Sequence, residues 1–99
     1  MKVRFTAVAR SEIAEILTYI ANDSPTAAQR VASEIEITVA LLSRHPRIAM
    51  VVHESGVRAK LVGRFQYRIF YTIDDDILTI RNVRSTRRRL PWDTSKPSG

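Results

Sequence analysis

Cations recur through the second half of this sequence at the spacing that a β-strand converts into a surface. Arg58 and Lys60 are two residues apart, Arg68 stands two before Phe70, and Arg84 two after Asn82. Side chains on a strand return to the same face at every second position, so each pair shares a face. If helices cover one side of the sheet, these cations converge on the other with aromatic rings among them. Such a surface holds phosphates by charge and bases by stacking. The other reading is a solvated sheet face whose arginines pair with nearby carboxylates.

A second cationic feature follows the last strand pattern: Arg87-Arg88-Arg89, then Leu90-Pro91-Trp92. Adjacent like charges repel and are tolerated by an anionic partner or by solvent. Trp92 is either a latch pinned against the sheet, as befits a large apolar ring, or an exposed recognition ring. Arg84, Arg87, Arg88, Arg89 and Trp92 are therefore the candidate target-binding residues.

Other chemistry-bearing residues read as structural. His45 closes a helix and His53 lies in a loop, with no metal-ligand spacing between them. Tyr67 and Tyr71 fall on one strand face and read as core. Asp74-Asp75-Asp76 reads as a hairpin turn rather than a cation cluster. No Gly-rich phosphate loop or Ser/His/Asp arrangement stands out, and neither a metal nor a cofactor is expected.

The elements that must position these residues are short. The 99 residues suit one domain, read as residues 1–92, with a polar, disordered tail at 93–99. Hydrophobic residues make up 44% and charged residues 26%, the balance of a folded protein. Without cysteine there is no disulfide, thiolate metal site or cysteine nucleophile. No stretch reads as a signal peptide or membrane span, so the expected location is the cytoplasm. The net charge is +6, and the excess lies mostly in residues 51–99, with ten basic and five acidic side chains. Arginine outnumbers lysine thirteen to three, which suits forked recognition of phosphates or carboxylates by a basic protein.

Lys2 to Thr6 alternates as a short strand. Ile13, Ile16, Leu17 and Ile20 form one helical stripe, with Glu12 and Glu15 placed near its start, where the dipole favours them. Ser24 and Pro25 fit the N-cap and first position of a second helix, which Ala28, Val31, Ile35, Val39 and Leu42 continue until Arg44, His45 and Pro46. A short strand is expected at Met50–Val52. Period-two segments follow at 57–62, 65–73 and 77–83. The order β-α-α-β-β-β, with a helical hairpin on one face of an antiparallel sheet, is an α+β domain.

In their order and spacing these pieces resemble the RelE/ParE superfamily of toxins from type II toxin–antitoxin modules. The resemblance spans residues 3–92. It rests on the helix from Ala9 to Ile20, the helix end at Leu42-Ser43-Arg44-His45-Pro46-Arg47-Ile48, and the stretch Gly63-Arg64-Phe65-Gln66-Tyr67-Arg68-Ile69-Phe70-Tyr71 leading to Asp74-Asp75. Ile80-Arg81-Asn82-Val83-Arg84 and the closing Arg88-Arg89-Leu90-Pro91-Trp92 complete it.

Two branches of function are implied. RelE-like members are ribosome-dependent mRNA endonucleases, and onto their cationic pattern Arg58, Lys60, Arg68 and Arg88 can be carried as catalytic. Trp92 then falls where that branch often has a terminal tyrosine, and indole cannot shuttle a proton. ParE-like members inhibit DNA gyrase and lack the nuclease set; the long hairpin and the Tyr-Arg-Ile-Phe-Tyr strand look more like these. The ParE-like branch is the reading taken: a gyrase inhibitor rather than an enzyme, linked to growth inhibition and plasmid stabilisation. The alternatives are the endoribonuclease and a nontoxic basic binding module. Both toxin branches imply a hetero-oligomer with an acidic antitoxin that folds on binding, docked in an apolar groove of the helical hairpin. The further partner is gyrase, or the ribosome and mRNA in the alternative, and not a membrane.

Overall fold

A computed structural model describes residues 1–92; the tail expected to be disordered, residues 93–99, lies outside the described residues. Strand β1 (Lys2–Phe5) leads into helix α1 (Ala7–Asp23), followed by α2 (Pro25–Arg44), β2 (Arg58–Leu61), β3 (Tyr67–Asp74) and β4 (Ile77–Ser85). Thr6 caps α1 by accepting from the Ala9 amide at 3.0 Å. Ser24 caps α2 in the same way, accepting from Ala27, and Pro25 opens the helix as its sequence predicts. His45 is the C-cap of α2.

Because α1 starts at Ala7, Glu12 and Glu15 fall in its second and third turns, beyond the reach of the N-terminal dipole. The role expected for them at the helix start is corrected accordingly.

The sheet order is β1-β4-β3-β2. The last three strands form the expected antiparallel meander, while β1 joins β4 in parallel, Lys2 beside Ile77 through Phe5 beside Ile80. The helical hairpin explains that direction. It carries the chain out along α1 and back along α2 to where β1 began, and there the Met1 ammonium donates to the Ser43 carbonyl at 3.2 Å. The strand expected at Met50–Val52 reduces to one bridge between Val51 and Arg58, with the Val52 and Ala59 amides bonded across to Val57 and Met50.

Both helices lie against one face of the sheet. Val31, Ile35 and Leu42 from α2 and Ala9 from α1 pack with Val62, Ile69, Tyr71, Leu78, Ile80 and Val83. Ile80 and Val83 are three residues apart yet both enter this core. Phe70 pairs with Asn82 but Tyr71 pairs with Ile80, so Arg81 is the extra residue of a bulge. The bulge also sends the Arg81 guanidinium to Thr72, Nε to Oγ1 at 2.9 Å.

Candidate functional site

β1 ends beside Ile80, so the outer edge of β4 beyond that point has no strand partner among the described residues. Glu12 fills the gap. One carboxylate oxygen accepts from the Val83 amide at 3.1 Å and from the Asn82 side-chain amide at 3.0 Å. The other accepts Nε of Arg84 at 2.7 Å and lies 3.8 Å from Nη1 of Arg88. The sequence carries only a weak sign of this arrangement, a glutamate on a helix face otherwise suited to the core. An edge amide that would be an orphan is satisfied, and the buried carboxylate acquires two cations.

The chain after β4 turns back and is held at several points. The Thr86 amide donates to the Gln66 carbonyl at 2.9 Å and the Arg88 amide to Ser85 at 3.0 Å, while Nη1 of Arg84 reaches the Arg89 carbonyl at 3.4 Å. The segment ends on Trp92, whose ring lies 4.5 Å from His53 and meets Phe70 edge-on at 5.8 Å. Trp92 is thus the latch, and His53, expected to be a plain loop residue, is one of its two seats. Its Nδ1 is placed by the Ser55 hydroxyl at 2.6 Å. We call residues 86–92 the strap.

The strap distributes its arginines unequally. Arg84 is largely buried against Glu12, and Arg88 is half-engaged there. Arg87 and Arg89 are exposed and have no ion pair among the described residues. Of the five candidate target-binding residues, then, Arg84 and Trp92 hold the strap in place, while Arg87, Arg89 and part of Arg88 are free to meet a partner.

Arg58 and Lys60 do not converge with Arg68 and Arg84, contrary to the expectation drawn from their alternation, and Arg88, the fourth residue carried over for RNA cleavage, lies at the Glu12 carboxylate. Arg58 is directly opposite Tyr71 and Lys60 opposite Ile69, which puts both on the helix-covered side, at its rim. Arg68 is opposite Leu61 and Arg84, on the other side of the sheet. Alternation within each strand was right; the register between strands decides the facing. Arg58 also has local work: its Nη1 donates to the Ala49 carbonyl at 2.7 Å, beside Tyr71, whose hydroxyl donates to Pro46 at 2.7 Å. Together they tie the loop after α2 to the sheet. Burial pushes the Tyr71 hydroxyl above its ordinary pKa, against the opposing pull of the Ala49 backbone and the Arg58 charge. Asp74 ends β3 and Asp75 takes a left-handed φ of 52°, so the aspartate triplet makes the hairpin turn.

On the helical side an apolar groove of 460 Å³ runs between β1, α1 and α2, lined by Val3, Phe5, Ile13, Leu17 and Val39. Among the described residues no helix is long and apolar enough to cross a membrane.

Comparison with known proteins gives a consistent picture. The family model for the ParE toxin of the type II toxin–antitoxin system parDE matches residues 3–90. No curated protein matches the sequence. Among solved structures, a chain of the chromosomal ParDE TA system from P. aeruginosa superposes with a TM-score of 0.73 at 17% identity, over 86% of this chain and 95% of that chain. At that identity the structural likeness is one of fold.

Proposed function

The chain belongs to the ParE toxin family of type II toxin–antitoxin systems, and from that premise we propose that it inhibits DNA gyrase through its C-terminal strap and is neutralised by a cognate antitoxin. The observation that carries this reading is the build of the strap. Glu12 and Trp92 fix its two ends, and the fixed backbone presents Arg87 and Arg89 to solvent with no ion pair among the described residues. An arginine held on an ordered backbone loses less entropy on binding than one on a loose tail, so such residues serve well as interface anchors.

What supports a non-nucleolytic mode is the division of Arg58 and Lys60 from Arg68 by the sheet, with Arg88 drawn to Glu12. A phosphoryl group in flight needs its cations on one side. Trp92, at the position where the nuclease branch often has a tyrosine, carries no group that gains or loses a proton near neutral pH.

For the antitoxin, the groove beside β1 is the docking surface. It accepts the apolar face of an amphipathic helix, and acidic residues of the same segment offset the +6 charge.

The test is to induce this chain in bacteria without an antitoxin and follow labelled thymidine and methionine. Thymidine incorporation is expected to fall first. An early stop in methionine incorporation with DNA synthesis continuing would instead assign a ribosomal target and an endonuclease.

A further inference from the structure

We propose that the gyrase-facing surface extends beyond the strap, across the open face of the sheet, to an apolar strip at its β2 edge formed by Met50, Val52 and Leu61. This deepens the gyrase reading above and rests on it.

Exposed apolar side chains are concentrated here. Of the ten large ones among the described residues, five fall between positions 48 and 61: Ile48, Met50, Val51, Val52 and Leu61. Met50 is the most exposed, at 80%. A contiguous exposed apolar patch on a small protein marks an interaction site more often than chance.

The register places the strip on the same side of the sheet as Arg68 and the Trp92 seat at Phe70. Leu61 is opposite Arg68, which is opposite Arg84, so one row crosses the open face from the strip to β4. Ala59, Phe70 and Asn82 form the adjacent row, and Trp92 rests on Phe70. The bridge between Val51 and Arg58 puts Met50 beside Ala59 and Val52 beside Val57, facing the same way. Strip, Arg68 and Trp92 thus lie on one surface, on the opposite side of the sheet from the helices, and the strap leads from Trp92 round to Arg87, which lies beside Glu15 and Tyr19 of α1.

Charge selects the occupant. Register puts Arg4 and Arg68 on this side of the sheet, where Arg81 also reaches Thr72. Self-association through this strip would set those cations against their copies. An acidic protein surface with apolar side chains satisfies both the strip and its rim, and we assign that chemistry to the contact region on gyrase.

The experiment measures inhibition of supercoiling by purified DNA gyrase with the full chain and with Met50→Glu, Leu61→Glu and Met50→Lys. These positions are solvent-exposed, so thermal melting is expected to be unchanged in all three. Met50→Glu and Leu61→Glu should raise the half-inhibitory concentration about tenfold or more, as loss of an interface anchor does. Met50→Lys, which removes apolar contact but keeps the favourable sign of charge, should raise it less. Equal inhibition by all four chains, while Arg87→Ala with Arg89→Ala abolishes it, would remove the strip from the surface and leave the gyrase reading standing. Loss of antitoxin neutralisation with gyrase inhibition intact would give the strip to the antitoxin and overturn the assignment. If the unaltered chain leaves gyrase uninhibited, the gyrase reading itself falls, and this contact with it.

Discussion

The carboxylate of Glu12 accepts Nε of Arg84 at 2.7 Å across 72 residues of sequence. The same carboxylate satisfies the Val83 amide where β1 has stopped pairing. One helix residue therefore completes the sheet edge and anchors the segment that carries the exposed arginines. The neutralising partners are fixed in the fold, which leaves Arg87 and Arg89 as the free cations of that run among the described residues.

Removing that carboxylate leaves Arg84 buried without its counter-charge. Glu12→Ala is expected to destabilise the protein by ~3–5 kcal/mol, the usual consequence of breaking a buried pair. Glu12→Gln keeps an acceptor for the Val83 amide but lacks the charge, so its effect should be smaller. Urea unfolding of the two variants checks the order. Trp92, the single tryptophan, provides a fluorescence signal for the strap. In Glu12→Gln that signal should red-shift in native buffer if the carboxylate holds the strap, and stay fixed if it acts on the edge alone.

Trp92→Ala tests the other end of the strap. The lost aromatic pairs with His53 and Phe70 are worth about 0.5–1.5 kcal/mol each beyond simple burial. Phe70, only 3% exposed beneath the indole, should become accessible. Hydrogen exchange is expected to quicken in residues 86–91 while the amides of β3 near Ile69 and Tyr71 remain protected.

Tyr71 makes stability fall at alkaline pH. Its hydroxyl is raised by burial above the ordinary value of 10.0, so the unfolded chain releases this proton first. Between the two pKa values the native state holds more protons than the unfolded state, and stability declines as pH rises through that window; below about pH 10 the contribution is complete. Denaturation followed from pH 8 to 11 should show the decline, and Tyr71→Phe should lessen it.

Arg58→Ala separates a structural role from a catalytic one. Loss of the charged hydrogen bond to the Ala49 carbonyl should cost about 1.5–3 kcal/mol and loosen residues 46–49. Growth inhibition at a temperature well below the variant's melting point is expected to persist. Its abolition, together with disappearance of cut mRNA, would restore Arg58 to a nuclease site.

Local pattern alone determined much of this protein. The stripe from Ile13 to Ile20, the Ser24-Pro25 start and the alternating run around Tyr67 specify two helices and a meander, because amphipathic period and capping act within a few residues. The cationic run and Trp92 were equally legible as a feature needing a partner or a seat. What tertiary structure decided depends on relations between segments. Strand register separates Arg58 and Lys60 from Arg68, although alternation within each strand treats them alike. β1 pairs with β4 only as far as Ile80 and leaves open the edge that Glu12 then fills, and no spacing around Glu12 encodes that event. The bulge at Arg81 shifts facing by one residue midway along a strand that reads as regular. Periodicity is a property of one segment; which face a side chain ends on, and which carboxylate it meets, follows from how segments far apart in sequence are paired.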